Sequence, residues 1–300
     1  MRVATDSIYR NILQGLFTRS NDLNNIQEKV SSGKNINRPS DDPISMVSSL
    51  NFQTALSQVT QYSQNIQTGN LWLSSSETAI SQASDLVTQA KQIATQMGTG
   101  DQTDASRTQA AAEVDQLLDQ AVSLGNTQVA GKYIFAGYRT STAPFSKTTD
   151  NNGVDTVTYN GDTNDFQIQV GTNEQVTVGK NGKAVFVDSN LFTALENLKQ
   201  AITNNDLPTI QQQVNILQGT EDSLQTQLAD VGIKQNRLTD NQNRLAQWST
   251  NIQDQISKLQ NVDYNQAIVE LQQKQTAYEI ALQSASQISQ WNLQNASLFT

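Results

Sequence analysis

From Ile210 to Leu259 an aliphatic residue recurs at every seventh position: Ile210, Leu217, Leu224, Val231, Leu238, Leu245, Ile252 and Leu259. Seven residues are close to two turns of α-helix, so the ladder puts all of them on one stripe of a single long helix. At a rise of about 1.5 Å per residue that helix is about 75 Å long. One apolar stripe on a helix is poorly stable in water. Each Leu or Ile on it contributes about 1.5–3 kcal/mol only when another surface covers it. A chain with this feature must fold by laying long helices against one another.

A second ladder of the same period supplies a partner. Phe52, Val59, Ile66, Leu73, Ile80, Val87 and Ala94 repeat every seven residues, and Gly98 and Gly100 end the run. Asp42 is placed to cap this helix, and Pro43 suits its first position, where no backbone donor is needed. Upstream, Tyr9, Leu16, Leu23 and Val30 keep the period, with Ile12 and Ile26 filling the intermediate seam and Arg19 interrupting it. Gly33 stops that helix, since glycine accepts the left-handed backbone needed there. A third helix is predicted over 105–128, with Val114, Leu117, Ala121 and Leu124 on one face.

Beyond it the period changes. Tyr133-Ile134-Phe135 reads as a strand, and from Asn151 to Val187 the alternation is near two, as in Phe166-Gln167-Ile168-Gln169-Val170. The pairs Asn160-Gly161 and Asn181-Gly182 divide these runs and predict hairpin turns. Helix returns at Asn190, with Phe192, Leu195, Leu198 and Ile202 on one side. After the long ladder, Asn261-Val262-Asp263 marks a break and a new cap. The last helix carries Tyr264, Ile268, Leu271, Tyr278, Leu282, Ala285 and Ile288.

The fold expected is mainly α: a long antiparallel coiled-coil rod made from N- and C-terminal arms, with a small β-rich domain inserted in the middle. Its parts are a terminal helical domain (1–43 with 261–300), a helical rod (44–130 with 189–260) and a β-rich insert (131–188). The two ladders of the rod largely cover each other. The outermost ladders, Tyr9 to Val30 and Tyr264 to Ile288, have fewer partners within the chain. Tyr9, Ile12, Leu16, Leu23, Ile26, Val30, Tyr264, Ile268, Leu271, Tyr278, Leu282 and Ile288 are therefore the candidate assembly interface. Trp72 and Trp248 read as core or seam residues.

Composition excludes several functions. The chain of 300 residues has no His and no Cys, which removes Ser-His and Cys-His catalysis, disulfides and thiolate metal sites. No catalytic, cofactor-binding or metal site is expected. Asp41-Asp42 is read as a cap before Pro43 rather than an acid pair, and Asp162 and Asp165, with Asn160 and Asn164, as turn residues, because their spacing misses the calcium-loop pattern. A formal net charge of −9 without a basic helix face argues against nucleic acid and anionic membrane as partners. No apolar run approaches the length of a membrane span, and the start, Met1 to Asp6, does not read as a cleaved secretory signal. Only 16% of residues are charged, against roughly 25% ordinarily. A polar but weakly charged surface suits close packing of like subunits.

The stretch Val30-Ser31-Ser32-Gly33-Lys34-Asn35-Ile36-Asn37-Arg38-Pro39-Ser40-Asp41-Asp42-Pro43 resembles the amino-terminal signature of flagellins and hook–filament junction proteins, with Ser32, Gly33, Asn37, Arg38, Pro39, Asp41, Asp42 and Pro43 as its signature residues. The Arg-Pro-Ser-Asp-Asp-Pro form is similar to the junction family, hook-associated protein 3. Three further stretches resemble that family in order: Gly131 to Gly137 with Ala143-Pro144-Phe145 and Tyr159 to Asp162; Asn190 to Leu195; and Val262-Asp263-Tyr264 through Gln290. Trp291-Asn292-Leu293-Gln294-Asn295 departs from the more aliphatic finish of the family.

The resemblance implies a non-enzymatic structural subunit of the bacterial flagellum, located outside the cell and exported by the flagellar type III route without a cleaved signal. It implies terminal helices that build an inner tube, and a ring of copies between another hook-associated protein and flagellin. It also implies a cytoplasmic chaperone bound near the carboxyl end. The competing readings are a flagellin and, further off, a secreted effector or adhesin.

Overall fold

The computed structural model describes residues 2–151 and 154–296, with side chains at 7, 9–151, 154–288 and 290. Six α-helices hold most of the chain: α1 (Arg2–Ser32), α2 (Pro43–Met97), α3 (Asp104–Gly125), α4 (Leu191–Thr203), α5 (Leu207–Gln260) and α6 (Tyr264–Ala296). Between α3 and α4 lie six short strands, β1 (Gln128–Val129), β2 (Lys132–Tyr133), β3 (Phe145–Thr149), β4 (Asp155–Tyr159), β5 (Phe166–Gly171) and β6 (Glu174–Gly179), and one wide helical turn, Lys183–Val187. The chain divides into two compact units. One comprises Met1–Gln58 and Trp248–Thr300, the other Val59–Gln247.

In the Val59–Gln247 unit the two ladders meet. Lys91 Nζ donates to Gln218 at 2.8 Å and to Glu221 at 2.6 Å, Gln235 to Glu77 at 2.8 Å, and Gln242 to Ser63 at 2.9 Å. Partners on α5 rise in number as those on α2 fall, so the helices are antiparallel. This register sets Ala94 level with Leu217, Val87 with Leu224, Ile80 with Val231, Leu73 with Leu238 and Ile66 with Leu245, and all ten side chains are buried. The sequence-predicted helix ends also stand: Gly33 and Gly100 adopt positive φ, 71° and 78°.

The strands form three separate antiparallel pairs, β1 with β2, β3 with β4 and β5 with β6. Two local expectations need correction. Ile134 and Phe135 lie in a turn after β2 rather than in a strand. The Phe135 carbonyl accepts from Gly182 N (2.7 Å) and from the Tyr159 hydroxyl (3.1 Å), and its ring packs edge-on to Phe186 at 4.9 Å, so burial and not sheet pairing shaped that run. Nor do the Asn-Gly pairs form the hairpin turns. The β5–β6 turn falls at Thr172–Asn173. Asn160 instead extends the β3–β4 ladder through its amide to the Pro144 carbonyl (2.7 Å). Buried Asn181 starts the wide turn: its Oδ1 accepts from Ala184 N, while its Nδ2 donates to Thr163 O and Asp165 Oδ1.

Phe145 binds this region together, with ring centroids 5.0 Å from Phe192, 5.2 Å from Tyr159 and 5.7 Å from Phe186. Beside it runs an ionic lattice that sequence alone did not indicate. Lys147 on β3 donates to Asp115 (2.6 Å) and Asp119 (2.7 Å) of α3, while Lys199 of α4 reaches Asp115 (3.1 Å) and Asp155 of β4. Burial pushes the Asp155 carboxyl up, but Lys199, the Thr149 hydroxyl and the charge of Lys147 outweigh it and hold the group at about 2. Trp72 is buried and stacks on Phe166 at 4.5 Å, which seats β5 against α2.

Candidate assembly surface on the terminal helices

The signature segment folds as a joint. Gly33 ends α1 and offers its carbonyl to Val262 N at 3.0 Å, while Asn35 N donates to the Gln260 carbonyl at 2.6 Å and Lys34 bridges antiparallel to Asn261. A Cβ on Gly33 would sit 2.5 Å from the Tyr264 hydroxyl, and its φ is positive, so only glycine fits without strain. The Ser32 hydroxyl accepts from Lys34 N (3.2 Å), and the Asn37 amide group donates to the Lys34 carbonyl (3.3 Å). The Asp41 carboxylate accepts from Arg38 N (2.8 Å) and Asn37 N (3.0 Å), and Arg38 pairs with Glu28 at 2.8 Å. Asp42 caps α2 by accepting from Ser45 N (3.0 Å) and Ile44 N (3.1 Å), and Pro43 is the first helical residue.

These bonds stabilise the ionised forms. Arg38 N foremost holds Asp41 below the usual carboxylate range, and Ser45 does so for Asp42. The two neighbouring carboxylates thus serve two different turns.

From this joint α1 and α6 run together, tied by Lys274 to Asp22 at 3.1 Å. On α1, Ile26 is buried, and Ile12, Leu16, Leu23 and Val30 are half-buried. On α6, Ala267 is buried, and Leu271, Tyr278 and Ile288 are half-buried. The seven-residue seams are therefore spent largely on pairing these two helices within the chain. Four of the candidate interface residues remain open: Tyr9, Tyr264, Ile268 and Leu282.

More open apolar side chains stand on lines that the ladders did not flag. Leu13 and Phe17 follow Tyr9 at four-residue steps, a line that leaves the seam at Tyr9 and turns round α1 by about 40° per step. Ile44, Val47 and Leu50 face solvent from the first turns of α2, and Val269 and Ile280 from a second flank of α6. Trp248, read from sequence as core or seam, is 43% exposed. The four-residue spacing of Tyr9, Leu13 and Phe17 was visible in the sequence. The exposure of Ile44 and Val47 was not, because α2 carries apolar residues on both faces there. Trp291–Asn295 lie outside the described side chains.

Among the described residues, fifteen large apolar side chains are exposed, and twelve belong to the terminal unit; Leu71, Tyr138 and Ile233 are the others. The terminal unit is the smaller of the two. The exposed apolar side chains are thus concentrated on the terminal unit, on several flanks of its helices.

The chain matches two family models, the bacterial flagellin N-terminal helical region over residues 3–140 and the bacterial flagellin C-terminal helical region over residues 214–296. It belongs to the flagellin-related family of bacterial flagellar proteins. Within that family it is similar from end to end to flagellar hook-associated protein 3. It is 25% identical to the Salmonella typhimurium protein of that name, in an alignment that covers all of this chain and 99% of the other. It is also 23% identical to the flagellar filament 30.7 kDa core protein of Treponema maltophilum, over 96% of this chain and 94% of that one. Among solved structures it resembles FlgL of Xanthomonas campestris (TM-score 0.61, 16% identity, 69% of this chain and 99% of that chain) and FlgL of Bacillus cereus (TM-score 0.58, 23% identity, 69% and 99%). These two likenesses bear on the fold.

Proposed function

We propose that the chain is a structural subunit of the bacterial flagellum that forms the junction between hook and filament, assembling by helix packing of its terminal regions. The observation that carries this reading is the crowding of exposed apolar side chains onto the terminal unit. An apolar stripe gains its stabilisation only when covered, and a subunit that assembles through its ends must leave those ends uncovered until neighbours arrive. The end-to-end likeness to hook-associated protein 3 supplies the setting.

Copies of the chain form a ring, with another hook-associated protein on the hook side and flagellin on the filament side. The chain leaves the cell through the flagellar export route, with a cytoplasmic chaperone near its carboxyl end. It does no chemistry of its own.

The test is a strain lacking the gene. Filaments are lost and flagellin appears in the medium, and purified chain added outside restores filaments; a strain that stays motile overturns the reading and favours an effector. Self-made filaments of unlimited length from the purified chain would identify a flagellin instead, since the junction subunit stops at short oligomers. Leu271→Ala with Leu282→Ala lowers filament restoration at least tenfold, while melting of the Val59–Gln247 unit stays within about 2 °C.

A further inference from the structure

We propose that Asn160-Gly161 is a self-modification site, where the chain converts its own asparagine to an aspartyl or isoaspartyl residue without an enzyme, while the fold holds Asn181-Gly182 inert. The inference is independent of the assembly reading above.

The reaction needs a backbone nitrogen free to attack, a side-chain amide free to turn toward it, and water. Gly161 N bonds to Cγ of Asn160 and closes a five-membered succinimide ring. The amide nitrogen of Asn160 leaves as ammonia, carrying the proton lost by Gly161 N. Water then opens the ring. Opening at Cγ leaves an aspartyl residue, and opening at the former peptide carbonyl leaves an isoaspartyl linkage with one more carbon in the main chain. A following glycine speeds ring closure, because no Cβ hinders the approach.

The two pairs meet opposite surroundings. Asn181 is buried, its Nδ2 donates to Thr163 O (3.1 Å) and Asp165 Oδ1 (2.9 Å), and its Oδ1 accepts from Ala184 N (2.9 Å). Gly182 N is committed to the Phe135 carbonyl at 2.7 Å. Neither the nucleophile nor the amide is free, and burial keeps water away. Asn160 is exposed. Its side chain makes one bond among the described residues, from Nδ2 to Ser146 Oγ at 3.0 Å, and that bond lies open to solvent. Exchanging it for a bond to water costs little. Gly161 N has no hydrogen-bond partner among the described residues.

Arg139 adds a push. Its Nη1 lies 3.5 Å from the Asn160 carbonyl oxygen. When Gly161 N loses its proton, the negative charge is shared onto that oxygen, so the guanidinium favours the attacking form. Packing also keeps the labile pair in place. A Cβ on Gly161 would collide with the Tyr159 hydroxyl, which donates to the Asp162 carbonyl at 2.6 Å.

For the test, the full-length protein is kept folded in mildly alkaline buffer, then digested with pepsin in acid, and conversion at each asparagine is read by mass spectrometry. Asn152-Gly153, outside the described residues, is scored separately. Asn160 converts at least tenfold faster than Asn181, and part of the product takes a methyl group from an isoaspartyl methyltransferase. Once urea unfolds the chain, the two sites convert at similar rates. Conversion of Asn160 as slow as that of Asn181 in the folded protein overturns the inference, and so does the same tenfold gap in the unfolded chain. Arg139→Gln changes an exposed side chain and slows Asn160 severalfold in the folded protein only; an unchanged folded rate overturns the role given to the guanidinium.

Discussion

Gly69 and Gly219 both interrupt long helices, and opposite physical circumstances surround them. A Cβ on Gly69 would meet Ile168 Cδ1 at 2.5 Å, Val178 Cγ1 at 2.9 Å and Leu238 Cδ1 at 3.1 Å, so the glycine lets the β5–β6 pair sit down on α2. Gly69→Ala therefore lowers stability by about 1–3 kcal/mol in chemical denaturation, from overpacking. A Cβ on Gly219 meets nothing within 4 Å. Gly219→Ala raises stability by about 0.5–1 kcal/mol in the same assay, the helix-propensity difference. Asp155 makes a third test. Its carboxyl is held at about 2, well below the ordinary value of 3.8. The sign follows: a depressed folded value gives stability that is fully present above the ordinary value and is lost as pH falls through about 2. Asp155→Asn lowers stability by about 2 kcal/mol near neutrality, because Lys147 and Lys199 lose a buried counter-charge. It also flattens the fall in melting temperature between about pH 4 and pH 2.

Helices were far more legible than strands. A seven-residue ladder repeated without a miss from Ile210 to Leu259 leaves little choice of face, and the facing ladder on α2 fixes the antiparallel register. Glycines with positive φ and the Asp42 cap are local devices whose chemistry lies within a few residues, so they too could be read directly. Ile134-Phe135 and the two Asn-Gly pairs were misassigned because their roles are set by distant groups, namely the Phe145 cluster and Asp165. The lattice of Lys147 and Lys199 joins residues from four elements and left no periodic trace. Within α2, Ser76 is buried and its hydroxyl has no hydrogen-bond partner among the described residues. Ser76→Ala removes that unpaired group and raises stability by about 1 kcal/mol, measured as a higher denaturation midpoint with an unchanged slope. The candidate surface was legible in part: four of its twelve residues are exposed. Tyr9, Tyr264, Ile268 and Leu282 stand open, whereas Ile26 is buried against its own unit, because a heptad seam marks whichever helix lies nearest. Phe17 and Ile44 stand on lines beside the seams, and only packing decides whether such lines are covered.

The molecule joins two kinds of surface. One unit closes its ladders on themselves, and the other leaves twelve large apolar side chains exposed among the described residues. Its helices α1 and α6 share a seam, yet both keep apolar flanks that stand exposed among the described residues. If neighbouring subunits cover those flanks, as proposed, the unit gains much of its stabilisation from them, and its helices open more readily when a copy is alone. Amide hydrogen exchange tests this most directly, comparing the dilute full-length chain with the same chain in isolated flagella. Amides of α1 and α6 should exchange at least a hundredfold faster in the dilute chain than in flagella, while those of α2 and α5 around Ile66–Val87 and Leu224–Leu245 stay slow in both. Equal protection of α1 and α6 in the two states would contradict the account.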